Sequence, residues 1–332
     1  MDKRLKKYIR ENHSVIYSKK ETMKDLSIID NDLKDYEIFL IGENHGVKAN
    51  VELKMKFLKY FKKKINFKYY ICELPFSMTY FLNRYLETGN DALLKDIYKY
   101  IKGTYAWNKD EYDYWRDLYK YNKTLPRDDK IILIGIDIEH QPKNAFRFME
   151  YCLNNGYYSK FEHVNNNLLN MLEVYHSNNF NGIRDQKLYE NFLSISSHLP
   201  KGKYFGQIGL SHVFQRAFPY VNWFASFLRN EISPFKGKVL SVAYAYQNCK
   251  YLYPTKRKNY VSHINTLDLS MVEFKNFINS KYAIFKLNQK DSPFDEKLIW
   301  PLNHKFPENG VTTDYFQYLV VIKDSEEMDG FY

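Results

Sequence analysis

The sequence has no apolar run close to the roughly 20 residues that a membrane-spanning helix needs, so we predict no membrane association. Residues 1–17 are basic and lack the continuous apolar stretch of a signal peptide, which favours a cytoplasmic location. Cysteine is scarce as well. Cys72, Cys152 and Cys249 lie far apart and cannot supply a disulfide framework or a thiolate metal site, so we expect buried, inert thiols.

Several motifs that mark known enzyme classes are also missing. The chain has no phosphate-binding loop, no G-x-G-x-x-G and no H-E-x-x-H, which argues against nucleotide-dependent enzymes and zincins. Ser211 precedes His212, but the segment Gly209-Leu-Ser-His-Val lacks the second glycine of a nucleophile elbow, so no serine hydrolase is expected. The net charge of +10 comes from scattered lysines, and we therefore predict no nucleic-acid partner.

Apolar and aromatic residues, in contrast, are plentiful. They make up 45% and 18% of the 332 residues, enough for a large core, and the length fits one domain over residues 1–332. Short apolar runs predict buried strands at Tyr36–Gly42, Tyr69–Glu73, Lys130–Ile138, Lys203–Gly209, Lys238–Tyr246, Tyr282–Leu287 and Tyr315–Ile322. Helical patterns alternate with these runs. We therefore predict an α/β fold with a mostly parallel sheet, helices on both faces, and segments 76–123 and 157–198 as a helical insertion or cap.

Polar residues follow four of these strands at the point where each ends. They are Glu43 and His45, Glu73, Asp137 with Glu139, and His212. Ligands of open α/β sheets bind in the crevice beyond the carboxyl ends of the strands, where parallel strands would bring these side chains together. Glu139 is better explained as a helix cap or a solvated loop residue, whereas the two glutamates and two histidines form a candidate active site.

Two chemistries are open to Glu43, His45, Glu73 and His212. In the first, His45 or a glutamate takes a proton from water while the second histidine stabilises the developing oxyanion or protonates the leaving group. In the second, the same side chains ligate a divalent metal ion through nitrogen and oxygen.

The order of these motifs resembles the erythromycin esterase-like family over about residues 36–230. The segments that carry the resemblance are Gly42-Glu-Asn-His-Gly46, Cys72-Glu-Leu-Pro75, Leu82-Asn-Arg-Tyr85, Trp107 with Glu111, Gly135-Ile-Asp137 and Gly209-Leu-Ser-His212. The resemblance implies metal-independent hydrolysis of an ester or amide, with His45 as the general base and Glu43, Glu73 and His212 orienting and stabilising the reactants. It also implies substrate-binding or supporting roles for Lys54, Arg84, Trp107, Glu111 and Asp137, a small-molecule substrate and no required cofactor.

Two departures from the family pattern leave the substrate open between a macrolide and another ester or amide. Erythromycin esterases carry one more residue between the Glu and the His of the first motif, and usually an arginine where this chain has Lys54. The spacing G-x-x-H, at Gly42–His45 and again at Gly209–His212, is similar to the Tiki and TraB group, which implies a metal-dependent peptidase. It is also similar to the ChaN relatives, which implies a haem-binding protein without catalysis.

Overall fold

The computed structural model describes residues 3–17, 23–255, 258–268, 274, 280–303 and 306–331. Its strands are β1 His13–Ile16, β2 Ile38–Glu43, β3 Tyr69–Pro75, β4 Ile132–Asp137, β5 Tyr204–Gly209, β6 Val239–Gln247, β7 Cys249–Tyr253, β8 Tyr260–Ile264, β9 Tyr282–Lys286 and β10 Tyr318–Lys323. The longer helices are α1 Lys3–Glu11, α2 Lys48–Ile65, α3 Phe76–Thr88, α4 Asp91–Tyr100, α5 Lys109–Thr124, α6 Pro142–Asn154, α7 Tyr158–His176, α8 Phe180–Ser196 and α9 Phe224–Arg229.

Further helical segments connect these elements. They are the 3₁₀ segments Met23–Asp32, Arg127–Asp129, Leu210–Val213 and Thr312–Asp314, and the single helical turn Pro293–Glu296. No helix in the described part of the chain is both long enough and apolar enough to cross a membrane.

Eight strands form one sheet in the order β1-β9-β10-β6-β2-β5-β3-β4, and β7 pairs with β8 in a separate antiparallel hairpin. The six strands from β10 to β4 are parallel, while β9 runs antiparallel to both β10 and β1. The prediction of an α/β fold with a mostly parallel sheet is therefore confirmed. Continuous apolar runs such as Ile38–Ile41 form the central strands because both faces of the sheet are covered.

Alternate residues of each central strand point to opposite hydrophobic layers. Phe39 and Ile41 pack in the layer that contains residues of α2 to α6, whereas Ile38 and Leu40 pack in the layer formed with α1, α8 and α9. This alternation with a period of two is the geometry of a β-strand. Because each layer also contains helix residues, helices cover both faces of the sheet, as predicted. The predicted helical stretches also lie where expected, with α3 to α5 between β3 and β4 and α7 to α8 between β4 and β5.

Some element boundaries differ from the sequence-based prediction. The last strand begins at Tyr318 and not at Tyr315, because Thr312–Asp314 forms a 3₁₀ turn and the buried residues Tyr315 and Phe316 leave that turn before the strand starts. Buried aromatic residues occur in turns as well as in strands, so apolarity alone placed this boundary three residues too early. All three cysteines are free and buried, as predicted.

The strand order positions the candidate site. The strand β2 lies between β6 and β5, and the chain proceeds from it toward β3 and β4 on one side and later toward β6 and β10 on the other. Strand order therefore reverses at β2, and a crevice opens at the carboxyl ends of β2, β5, β3 and β4.

Candidate active site

The structure brings the four predicted residues together at this crevice. Glu43 is the last residue of β2, His45 follows it by two residues, and Glu73 lies near the end of β3. His212 lies in the 3₁₀ segment that follows β5. His45 Nδ1 is 3.0 Å from Glu43 Oε1, its Nε2 is 3.8 Å from Glu73 Oε2, and His212 Nε2 is 3.2 Å from Glu73 Oε1.

His45 is the most accessible of the four, with 34% of its side chain exposed. Its Nδ1 is hydrogen-bonded to Glu43, while the 3.8 Å between Nε2 and Glu73 is too long for a hydrogen bond. Burial alone would lower the pKa of His45, but the hydrogen bond to Glu43 and the charge of Glu73 outweigh it and raise the pKa. His45 is therefore a basic imidazole with one nitrogen available to a reactant.

Glu43 is a fixed anion beneath this imidazole. Its Oε2 accepts a hydrogen bond from Gln207 Nε2, which also donates to the Asn50 carbonyl at 3.1 Å. Burial would raise the pKa of Glu43, yet the hydrogen bond with His45 and the charge of Lys54 lower it below its ordinary value. An anionic Glu43 stabilises the imidazolium that forms when His45 accepts a proton.

His212 has the opposite character, since it is held as a cation. Its Nδ1 lies 2.7 Å from Oδ1 of the fully buried Asp185, and the same oxygen accepts the Phe224 backbone N–H at 2.7 Å. Burial lowers the pKa of His212, but the charges of Asp185 and Glu73 raise it to about 10. His212 is therefore suited to electrostatic stabilisation and not to taking a proton at neutral pH.

Glu73 connects the two histidines and is strongly anionic. It accepts the Gly209 backbone N–H at 2.7 Å and the Arg184 Nη2–H at 2.8 Å. Burial would raise the pKa of Glu73, but His212 and Arg184 hold it well below its usual range. A carboxylate with these partners orients its neighbours and is not a proton acceptor near pH 7.

Asp137 joins the site through Arg184, at the N-terminal end of α8. The guanidinium binds both carboxylate oxygens, with Nε at 3.0 Å and Nη2 at 2.6 Å, and His140 Nε2 lies 3.2 Å from Asp137. Burial is outweighed by these cations, so the pKa of Asp137 is lowered. The bidentate pair fixes Arg184 between Asp137 and Glu73.

Lys54 and Glu111 form a second group beside the first. Lys54 Nζ lies 2.5 Å from Glu111 Oε1 and 4.5 Å from the centre of the Tyr114 ring. Both charged side chains are largely buried, so the pair is held rigidly in the wall of the site. The predicted supporting positions Lys54, Glu111 and Asp137 are thus all part of the site.

Arg84, Trp107 and Glu139 lie elsewhere. Arg84 is half exposed and pairs with Glu87 at 3.3 Å on the surface of α3, so it does not reach the crevice. Trp107 packs on Phe331 with its ring centre 5.7 Å away and does not line the crevice. Neither Arg84 nor Trp107 therefore lies where it could play the substrate-binding or supporting role that the family resemblance implies.

Glu139 is neither a solvated loop residue nor the cap of its own helix. Its buried carboxyl accepts the backbone N–H of Ser77 at 3.1 Å and the Ser77 hydroxyl at 2.6 Å, so it caps the start of α3 from a different element. Burial raises the pKa of Glu139 to about 7.

Residues of the site that were not predicted from sequence include Arg184, Asp185 and Gln207. A signal existed for two of them. Asp185 shares the buried stripe of α8 with Leu188 and Phe192 at spacings of three and seven, and Gln207 interrupts the apolar strand β5. A polar side chain on an apolar face needs a buried partner, which points toward a site.

The donor set gives little support to a metal centre. Within residues 3–17, 23–255, 258–268, 274, 280–303 and 306–331, no three His, Cys, Asp or Glu side chains are arranged to hold a metal ion. Glu73 and His212 are each engaged by side chains of the opposite charge, and Glu43 accepts from His45 and Gln207. The four predicted residues therefore form an ion-pair network, and their electron pairs do not converge on one point.

Two adjoining cavities open onto this network. The first, of about 870 Å³, extends between α3, α4 and α5, and we call it the helical cavity. The second, of about 700 Å³, extends toward the β7–β8 hairpin and the segment after β5, and we call it the hairpin cavity. The residues that line both cavities are Glu43, His45, Glu73, Tyr105 and Arg184. Each volume lies within the range of small-molecule pockets.

Comparison with known proteins identifies the fold but does not identify the activity. No protein-family model matches the chain, and no curated protein matches its sequence. Solved structures do match: a Bacillus cereus protein at TM-score 0.71 and 14% identity, covering 99% of both chains, and a succinoglycan biosynthesis protein at 0.71 and 14%, covering 98% of both. A mutant of the erythromycin esterase EreC in its open conformation matches at TM-score 0.65 and 10% identity, covering 93% of this chain and 96% of its own. These likenesses establish a shared fold.

Proposed function

We propose that this protein is a hydrolase that cleaves an ester or amide bond of a small molecule with water activated by His45. One observation carries the proposal: His45 is hydrogen-bonded to anionic Glu43 at Nδ1, lines two cavities, and has its Nε2 3.8 Å from anionic Glu73. The fold shared with an erythromycin esterase structure supports a hydrolase, and the predicted cytoplasmic location is compatible with such a substrate.

The proposed reaction begins with proton transfer from water to His45 Nε2 as the water oxygen bonds to the substrate carbonyl carbon. The resulting imidazolium lies between Glu43 and Glu73, which lower the free energy of that charged state. The tetrahedral oxyanion forms near two cations, His212 and Arg184, of which Arg184 lines both cavities. The carbon–oxygen or carbon–nitrogen bond then breaks, and the leaving group takes the proton from His45.

The two alternatives implied by the G-x-x-H spacing are not favoured. A metal-dependent hydrolase would need Glu73 and His212 as ligands. Each of these side chains is already paired with an opposite charge, Glu73 with Arg184 and His212 with Asp185. A haem-binding protein without catalysis has no supporting observation in the described residues.

The proposal is tested by assaying the purified protein on simple aryl esters and macrolides, with and without a chelator. We expect turnover that the chelator does not change. Turnover abolished by the chelator and restored by a divalent ion would replace this proposal with the metal-dependent one. No hydrolysis of any compound in the panel would count against an esterase of either kind.

A further inference from the structure

We propose that the substrate joins two bulky halves, an apolar half bound in the helical cavity and a polar, hydrogen-bonding half bound in the hairpin cavity. This inference rests on the proposed function, because it assigns a substrate class to the same site.

The reactive groups lie where the cavities meet. His45, Glu73 and Arg184 line both cavities, so the bond beside His45 Nε2 has one cavity on each side. At about 870 and 700 Å³, each cavity can hold a drug-sized group, and a small aryl acetate would fill neither. A substrate that uses the available binding surface therefore extends in both directions from the cleaved bond.

Tyr105 marks the division between the two cavities. Its ring lies 5.3 Å from the His45 ring and 5.6 Å from the Tyr253 ring, and it lines both cavities. The Tyr105 ring, tilted by 40° relative to the imidazole, occupies space at the junction of the two cavities. The narrowest part of the substrate, its ester or amide linkage, fits this position.

The deep part of the helical cavity is apolar. Its wall is formed between α3, α4 and α5 by side chains that are at most 7% exposed, namely Met78, Leu82, Ile97, Tyr98, Ile101 and Trp115. Apart from the Tyr98 hydroxyl, such a surface gains free energy by burying an apolar group. We therefore assign the apolar half to this cavity.

The hairpin cavity has a different lining, with several side chains that can form hydrogen bonds. They include Asn44, Ser211 and His263. Amide, hydroxyl and imidazole groups both donate and accept hydrogen bonds, so these side chains can bind a polar group of the substrate. We therefore assign the polar half to this cavity.

The test measures binding and hydrolysis separately. The probe is glyceryl 2-naphthoate, which has both halves; methyl 2-naphthoate and glyceryl acetate each lack one, and 2-naphthyl glycerate reverses the ester linkage. Calorimetry on the His45→Ala variant reports affinity without turnover. We expect one of the two complete esters to bind at least about tenfold tighter than either single-half compound, because both surfaces contribute only when both halves are present.

Two variants assign each half to its cavity. Ala106 lines the helical cavity from a loop, so Ala106→Phe should weaken binding of both naphthoates about tenfold and leave glyceryl acetate unchanged. Asn44→Leu should weaken the glyceryl compounds and leave methyl 2-naphthoate unchanged. The exposed Ala92, on α4 and outside both cavities, provides the matched control Ala92→Phe, which should change no affinity.

The outcomes separate this inference from the proposed function. Preferential binding of a complete ester without any hydrolysis would refute the hydrolase but support the two-half site. Hydrolysis of small aryl acetates as efficiently as of the complete esters, with no difference in affinity, would overturn the two-half site and leave the hydrolase in place. Equal binding of all four compounds, or none, would also overturn it.

Discussion

The buried pair formed by His212 and Asp185 makes stability depend on pH in a defined direction. His212 is held as a cation by Asp185 at 2.7 Å and Glu73 at 3.2 Å, and its side chain is only 8% exposed. We predict that His212→Gln removes a stabilising contribution that is large near neutral pH and small near pH 10. Asp185→Asn should reduce the same contribution, because it removes the nearest anion.

The magnitude follows from the difference in pKa between the folded and unfolded states. The folded pKa of His212 is about 10 and an unfolded histidine has a pKa of about 6.5, which corresponds to about 5 kcal/mol at about 1.4 kcal/mol for each pKa unit. Because the folded pKa is raised, the contribution is fully present below about pH 6.5 and is lost as the pH rises through about 10. Between these limits its slope is about 1.4 kcal/mol for each pH unit.

The assay is urea unfolding of wild type and His212→Gln at pH 6, 7, 8 and 9. The difference in free energy of unfolding between the two proteins isolates His212 from the other groups that titrate in this range. We expect this difference to shrink steadily as the pH rises. The exposed His198 supplies the control His198→Gln, whose curve should run parallel to that of wild type. A difference between wild type and His212→Gln that stays constant from pH 6 to pH 9 would refute the cationic His212.

Three further predictions concern other parts of the site. Glu43→Gln should lower the pKa of His45, move the acidic limb of the pH–rate profile to lower pH and reduce kcat by about 10²-fold or more; an unmoved limb would count against the pair. Arg184→Met removes the guanidinium that Glu73 and Asp137 share and should cost about 3–5 kcal/mol in urea unfolding, whereas the surface variant Arg84→Met should cost less than about 0.5 kcal/mol; equal costs would contradict the buried clamp. Burial raises the pKa of the Cys72 thiol, so Cys72→Ser should lose about 1–2 kcal/mol of stability and keep its activity, and lost activity in a stable variant would give Cys72 a chemical role.

The central sheet was predictable from sequence because its strands are buried on both faces. Segments such as Ile132–Asp137 and Tyr204–Gly209 must be apolar along their whole length, and a short apolar run bounded by polar residues is a strong strand signal. The strands β1, β7 and β8 were not predicted. The exposed strand β8 has no buried face, and β1 pairs with only one neighbour over four residues, so neither needs an apolar pattern.

The site residues that could be predicted from sequence are the polar side chains at or near the ends of predicted strands. Glu43, His45, Glu73 and His212 each lie at or just beyond a strand end, and the parallel sheet brings them to one edge. Arg184 and Asp185 could not be found by this rule, because they enter the crevice from a helix that the chain reaches long after the first strands. The polar Asp185 on the apolar stripe of α8 indicates a buried partner, but which partner it meets, and the role of Arg184, depend on how α8 packs against the sheet, a tertiary contact that local pattern does not encode.

The most direct test of the account is the activity of His45→Ala beside that of the surface variant His198→Ala, on whichever ester the wild-type protein hydrolyses best. Both proteins should fold normally, as judged by circular dichroism and urea unfolding. We expect kcat/KM to fall by about 10²- to 10⁴-fold in His45→Ala, the range of general-base catalysis, and to be unchanged in His198→Ala. A folded His45→Ala protein with wild-type kcat/KM would contradict the claim that His45 activates water.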